Sequence, residues 1–172
     1  MESSEVLQQP HWYAIHTRSR HEKVVRDQLA AKGVTHLLPL WRKRSVWKDR
    51  IKMIDVPLFS GYLFAYFPLQ DRLQVLTTVG VVRIVGINGQ PVPIPQEQID
   101  AVRTMMEKHL RYDPHPYLTE GMRVRVKRGA LAGAEGILIA KRAHYRLVIS
   151  VDLIQRSVAV DIDSADVEPL GW

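Results

Sequence analysis

The chain of 172 residues contains no cysteine, which excludes a disulfide framework, a thiolate metal site and a cysteine nucleophile. It has no apolar run approaching eighteen residues, and Met1 to Pro10 lacks the basic start and apolar core of a secretion signal. A soluble, cytoplasmic protein is expected. Walker loop, dinucleotide fingerprint and nucleophile elbow are all missing. The seven histidines form no HExxH or other compact ligand motif. Asp161, Asp163, Asp166 and Glu168 could in principle hold Mg²⁺, but Asp161 and Asp163 alternate with Val160 and Ile162 as the solvated side of an edge strand would. No catalytic residue, no metal and no cofactor is therefore expected, and the chain is read as a non-enzyme.

What is present is ordinary globular stock, 46% apolar and 24% charged, enough for one domain with a proper core or two small ones. The densest signal is Gly121-Met-Arg-Val124-Arg-Val126-Lys-Arg-Gly129-Ala-Leu131-Ala-Gly133-Ala-Glu-Gly136-Ile-Leu-Ile139. Val124 and Val126 alternate with Arg123, Arg125 and Lys127, a strand with one buried and one basic face. Gly129, Gly133 and Gly136 then permit a tight turn into a second apolar run, so a basic hairpin opens a small β-barrel.

The net charge of +6 is unevenly placed. Residues 1–110 hold 15 Lys and Arg against 10 Asp and Glu, while residues 111–172 hold 9 against 8. Arg42, Lys43, Arg44, Lys48, Arg50 and Lys52, set against Asp49 alone, equal the whole excess of the first part within eleven residues. A patch of that density is the footprint of a nucleic-acid contact. Trp41 or Trp47 within it could stack on a base or pack beneath the hairpin that this segment forms. The bland alternative is a solvated face that discourages edge pairing.

Pro114 and Pro116, one residue apart, favour an extended connector. The expected organisation is a disordered tail over 1–9, a first domain over 10–110, a linker over 111–118 and a second domain over 119–172. In the first domain Trp12 to Ile15 reads as a strand, Ser19-x-x-Glu22 has capping-box spacing, and His21, Val24, Val25, Gln28 and Leu29 share a helix face that Gly33 ends. Gly61 to Phe67 reads as a central strand, Gln70 to Thr78 as a short helix and Val81–Val85 as a strand. Ile99, Val102, Met106 and Leu110 mark a closing helix. The class is α+β: an antiparallel sheet flanked by helices, joined by a short linker to a small C-terminal β-barrel.

The glycine-spaced basic hairpin resembles the KOW motif. Trp12-Tyr13, the helix near Glu22, Val56-Pro57-Leu58-Phe59-Ser60-Gly61-Tyr62-Leu63-Phe64, Gly80-Val81-Val82 and the Pro93/Pro95 segment stand before it in the order of the N-terminal domain of the NusG family of transcription elongation factors. The resemblance implies a factor that docks on the clamp helices of the largest subunit of bacterial RNA polymerase. Trp12, Tyr13, Phe59, Tyr62 and Phe64 would surround that surface. It also implies that Arg42, Lys43, Arg44, Trp47, Lys48, Arg50 and Lys52 face upstream or non-template DNA. The barrel would recruit the termination factor Rho or a small-subunit ribosomal protein through Leu131, Ala134, Ile154 and Arg156. A monomer without membrane contact is implied.

Four positions depart from that pattern. Leu131 and Ile154 stand where the family often has phenylalanine, Ala130 replaces the proline of the usual Gly-Pro-Phe, and Ser60 stands where proline is usual. Ser60, together with the short, insert-free first domain and its concentrated basic hairpin, suggests a specialised antiterminator of long operons. A KOW-bearing ribosomal or RNA-binding protein is the rival reading, although it should be more basic overall. The β-branched runs Val148 to Val151 and Val158 to Val160 favour a barrel over a helical form of the second domain.

Overall fold

Leu7 reaches the first hydrophobic core, and the chain around it is helix α1 (Ser4–Gln8) rather than the disordered tail expected from its polar composition. The computed structural model describes residues 4–108, 110–115, 117, 121–141 and 144–170. Strand β1 (Pro10–Thr17) leads to helix α2 (Glu22–Ala31), β2 (Thr35–Leu37), and the long pair β3 (Leu40–Trp47) and β4 (Arg50–Pro57). Strand β5 (Tyr62–Pro68), helix α3 (Arg72–Leu76), β6 (Val81–Ile84), and the short pair β7 (Gly86–Ile87) and β8 (Gln90–Pro91) follow. These elements make the first compact unit, Met1–Pro95.

Its antiparallel sheet has the order β2-β5-β1-β6, so the apolar Gly61 to Phe67 stretch supplies an inner strand, as its composition demands. Tyr13 and Ile15 of β1, Leu63, Ala65 and Phe67 of β5, and Ile84 of β6 share one face. They bury themselves with Val25 and Leu29 of α2, Val75 of α3, Leu38 and Leu69. Each such fully buried side chain contributes about 1.5–3 kcal/mol relative to exposure.

Helix α2 does not use the Ser19-x-x-Glu22 box. Its N-cap is His21, with no side-chain capping bond. Ser19 lies in the turn before the helix, which Arg20 negotiates at a φ of 64° while the His21 amide donates to the Arg18 carbonyl at 3.1 Å. Of the predicted helix face, Val25 and Leu29 are buried but Val24 is exposed. Gly33 ends the helix at a φ of 72°, its amide and that of Val34 donating to Ala30 and Leu29.

The second compact unit is Gln96–Trp172, so the division falls before the closing helix rather than at residue 111. It comprises α4 (Gln96–Glu107), β9 (Tyr112–His115), β10 (Met122–Val126), β11 (Glu135–Lys141), β12 (His144–Val151), β13 (Arg156–Ile162) and β14 (Val167–Pro169). Helix α4 buries Ile99, Ala101, Val102 and Met105, not the predicted Met106. The strands form one antiparallel sheet in the order β14-β10-β11-β12-β13-β9. Val124 and Val126 are buried and Arg123 and Arg125 exposed, the alternation the sequence predicts. The segment expected as a linker contributes β9, and β13 is consequently an inner strand with Asp161 off the sheet edge.

Gly136 sits where β10, β11 and β12 meet, and a Cβ there would fall on the Val148 carbonyl oxygen, a backbone atom that cannot swing away. Gly136→Ala should therefore lower stability by about 3 kcal/mol or more in a denaturant titration. Gly133→Ala meets no atom and carries only the strain of its φ of 92°, so it should cost about 1 kcal/mol. Equal losses for the two would contradict this packing.

Candidate functional site

The basic segment is a free-standing two-stranded hairpin, β3 paired to β4 from Leu40↔Pro57 to Trp47↔Arg50. At about 3.3 Å per residue its eight-residue arms are roughly 25 Å long. Lys48, at a φ of 46°, and Asp49 make the turn. Two hydrogen bonds hold the hairpin at its root. There the Leu58 amide donates to Pro39 at 2.8 Å and Lys23 Nζ of α2 donates to the Asp55 carbonyl at 2.8 Å.

Residues opposed across an antiparallel pair project from the same face. Trp47 with Arg50, Ser45 with Lys52, Lys43 with Ile54 and Trp41 with Val56 therefore form one face. Arg42 with Asp55, Arg44 with Met53 and Val46 with Ile51 form the other. The predicted cations are thus divided. Arg42 is answered by Asp55 at 3.7 Å, whereas among the described residues Lys43, Arg44, Lys48, Arg50 and Lys52 make no ion pair. Trp47 is 68% exposed beside Arg50 and packs beneath nothing. One face of the hairpin thus offers an open indole and three unpaired cations, the combination that can stack a base and neutralise phosphates.

The five predicted protein-contact residues do not share one face. Adjacent strand residues point oppositely, so Trp12 and Tyr13 are separated by the sheet. Tyr13, 1% exposed, lies in the core with the helices and cannot line a docking surface on the other side. The register Trp12↔Tyr66, Ala14↔Phe64 and His16↔Tyr62 defines the second face. Trp12 and Tyr66 rings lie 5.4 Å apart, His16 and Tyr62 stack at 5.1 Å, and Phe59 meets Phe64 edge-on at 6.1 Å. Trp12, Phe59 and Phe64 are buried; Tyr62 is half-buried and Tyr66 is 37% exposed. His16 and Tyr66 are the members of this face that the sequence reading missed. Counting in twos from Trp12 along β1 reaches His16, and the β5 alternation from Tyr62 reaches Tyr66.

The barrel loops depart furthest from expectation. Leu131 and Ile154, expected to reach a partner from the barrel, are buried. Leu131 and Ala134 line a cleft of about 200 Å³ with Ala101 and Thr104 of α4. Ile154 sits in a 3-10 turn, Asp152–Ile154, that Gln155 closes at a φ of 50°, and Arg156 Nη1 donates to the Ile154 carbonyl at 3.2 Å. Asp152 accepts from Tyr117 Oη at 3.3 Å and from Gln98 Nε2 at 3.4 Å. Its negative charge, with some desolvation and the hydrogen bond, raises the Tyr117 phenol above its ordinary value.

Three arginines of the second unit are answered by acids. Arg125 pairs with Glu135 at 2.7 Å, Arg128 with Asp166 at 2.9 Å, and Arg146 with Asp113 and Asp161 at 3.0 and 3.1 Å. Bonding to Glu135 raises the Arg125 pKa further. The C-terminal carboxylates are thereby occupied, since Asp163 also accepts from the Ala165 amide at 2.9 Å. Among the described residues, the hairpin gathers five cations without an ion pair into a single two-stranded element.

An α+β unit bearing an unpaired cationic hairpin, followed by a small antiparallel barrel opened by a glycine-spaced basic strand, is the architecture of a two-domain transcription factor. The family model described as "Transcription termination factor nusG" matches residues 10–103. The chain belongs to the NusG family of transcription termination/antitermination factors. It is 26% identical over 179 residues to the transcription termination/antitermination protein NusG of Halalkalibacterium halodurans, covering 92% of this chain and 98% of that protein. It is also 26% identical over 183 residues to the Staphylococcus carnosus protein of the same name, covering 97% and 100%. A solved structure described as "Domain interaction in Thermotoga maritima NusG" superposes with a TM-score of 0.57 at 20% identity over 95% of this chain and 98% of that one, which agrees with the fold.

The two faces of the first sheet predict different responses to truncation. Tyr13→Ala empties a helix-covered core position and should cost about 3–5 kcal/mol in thermal or denaturant unfolding. Tyr66→Ala loses mainly its ring contact with Trp12 and should cost about 1 kcal/mol. The reverse ranking would show that the faces have been misassigned.

Proposed function

We propose that this chain is a non-enzymatic elongation factor that rides on RNA polymerase, with the aromatic second face of its first sheet directed to the clamp helices of the largest subunit. The β3–β4 hairpin extends to upstream or non-template DNA, and the barrel recruits a further partner such as Rho or a small-subunit ribosomal protein. The observation that carries this reading is the hairpin face on which Trp47 stands open with Lys43, Arg50 and Lys52, none of which makes an ion pair among the described residues. A solvated face that only discourages pairing has no use for an exposed indole, whose burial against a base supplies about 1–3 kcal/mol.

Tyr62 and Tyr66 are the reachable members of the aromatic face, and aromatic anchors dominate protein interfaces. Family membership supports polymerase as the partner, and the near-neutral charge of the barrel disfavours the ribosomal alternative.

The test is binding of the full chain to a reconstituted elongation complex at several salt concentrations. Tyr62→Ala combined with Tyr66→Ala should weaken binding at every salt by about 2 kcal/mol or more, as loss of a hot spot does. Replacing Lys43, Arg50 and Lys52 with Ala should instead flatten the salt dependence by about 0.7–0.9 in log–log slope per cation removed. Retention of RNA without retention of polymerase would refute the reading.

A further inference from the structure

Among the described residues of the second unit Arg146 is the most deeply buried cation, its side chain 5% exposed near the start of β12. Its Nε lies 3.1 Å from Asp161 Oδ1, its Nη1 3.0 Å from Asp113 Oδ1, and its Nη2 donates to the Ala159 carbonyl at 2.9 Å. A buried guanidinium requires such company, because an unpaired charge in the interior is strongly unfavourable. The two carboxylates differ in origin. Asp161 belongs to β13, the neighbouring barrel strand, whereas Asp113 belongs to β9, a four-residue segment between the closing helix and the first barrel strand.

Strand β9 covers the edge of β13 with the register Ser157↔His115, Val158↔Pro114, Ala159↔Asp113 and Val160↔Tyr112. The Asp161 amide donates to the Arg111 carbonyl at 3.2 Å. Antiparallel pairs alternate between bonded and non-bonded positions, so from that bond the bonded pairs are Asp161/Arg111, Ala159/Asp113 and Ser157/His115. Pro114 therefore falls at a non-bonded position with its ring nitrogen turned outward. Its missing donor costs this pairing nothing, and it denies a further strand a place on the outer side. Beneath the strap, Ser157, Val158, Ala159 and Val160 are buried, whereas Pro114 is exposed and Asp113 is 42% exposed at its side chain.

We infer that the β13 edge is an exchangeable strand site: Tyr112–His115 is its resident occupant, and an extended peptide of a partner protein with a carboxylate opposite Ala159 takes its place. The occupant's chemistry follows from the one in view. It needs backbone to continue the ladder, an Asp or Glu to complete the company of Arg146, and no more than four residues. Strand addition supplies affinity through main-chain bonds, and the buried guanidinium supplies selection. The inference stands whether or not polymerase is bound, because it concerns only the barrel and its strap.

The full chain tests it. Asp113→Asn should open the strap, so that the Asp161 amide exchanges hydrogen at least tenfold faster while the β12 amides bonded to β11 keep their protection. A labelled peptide of residues 110–117 should bind the Asp113→Asn chain at least tenfold more tightly than the unaltered chain, whose own strap competes at a high effective concentration. The same peptide with Asn in place of its Asp should not bind. Since the chain has no native cysteine, adding His115→Cys and Ser157→Cys to the Asp113→Asn chain lets an oxidised cross-strand bond hold the strap shut. Oxidation should abolish peptide binding and reduction restore it. Equal binding of the two peptides, binding indifferent to the disulfide, or loss of protection throughout the barrel in Asp113→Asn would each overturn the inference.

Discussion

Everything in the first unit depends on the period-two alternation of β1, a strand buried on both faces. Tyr13 and Ile15 hold the helices, while Trp12, Ala14 and His16 lie with Phe64 and Tyr62 of β5 on the opposite side. A strand of this kind has no spare position. Its core face sets the fold and its other face collects aromatic rings in one register, so the candidate protein-binding surface is a by-product of the geometry that builds the core.

Charge is arranged by the opposite logic in the two parts of the chain. In the barrel, three arginines are each answered by an acid, as Arg125 is by Glu135 on the neighbouring strand. On the hairpin the cations project into solvent from arms bonded to the sheet unit at their root, and among the described residues Asp55 pairs with Arg42. Exposed like charges weaken a marginal two-stranded element, so their presence there is better explained by a ligand than by stability.

Much of this was legible from local patterns. The alternation of Val124 and Val126 with arginines, the apolar inner strand through Phe64, and the hairpin over Trp41 to Lys52 each depend on a few neighbouring residues. Features decided by distant partners were not legible. Ser19 has the spacing of a cap, but the turn held by Arg18 and Gly80 moves the helix start to Glu22. Leu131 looks like an exposed tip until α4 lies beside it, and Pro114 reads as part of a linker until β13 shows that its position needs no donor. Tyr13 was grouped with Trp12 by motif, although alternation alone separates them.

The most direct test of the central claim, that the hairpin of this NusG-family chain meets nucleic acid while the factor is on polymerase, is photocrosslinking from position 47 in a reconstituted elongation complex. A photoreactive residue in place of Trp47 should crosslink to upstream or non-template DNA, and one at position 13, inside the core, should not. Crosslinks from position 47 to protein alone, or to no component of the complex, would contradict the account.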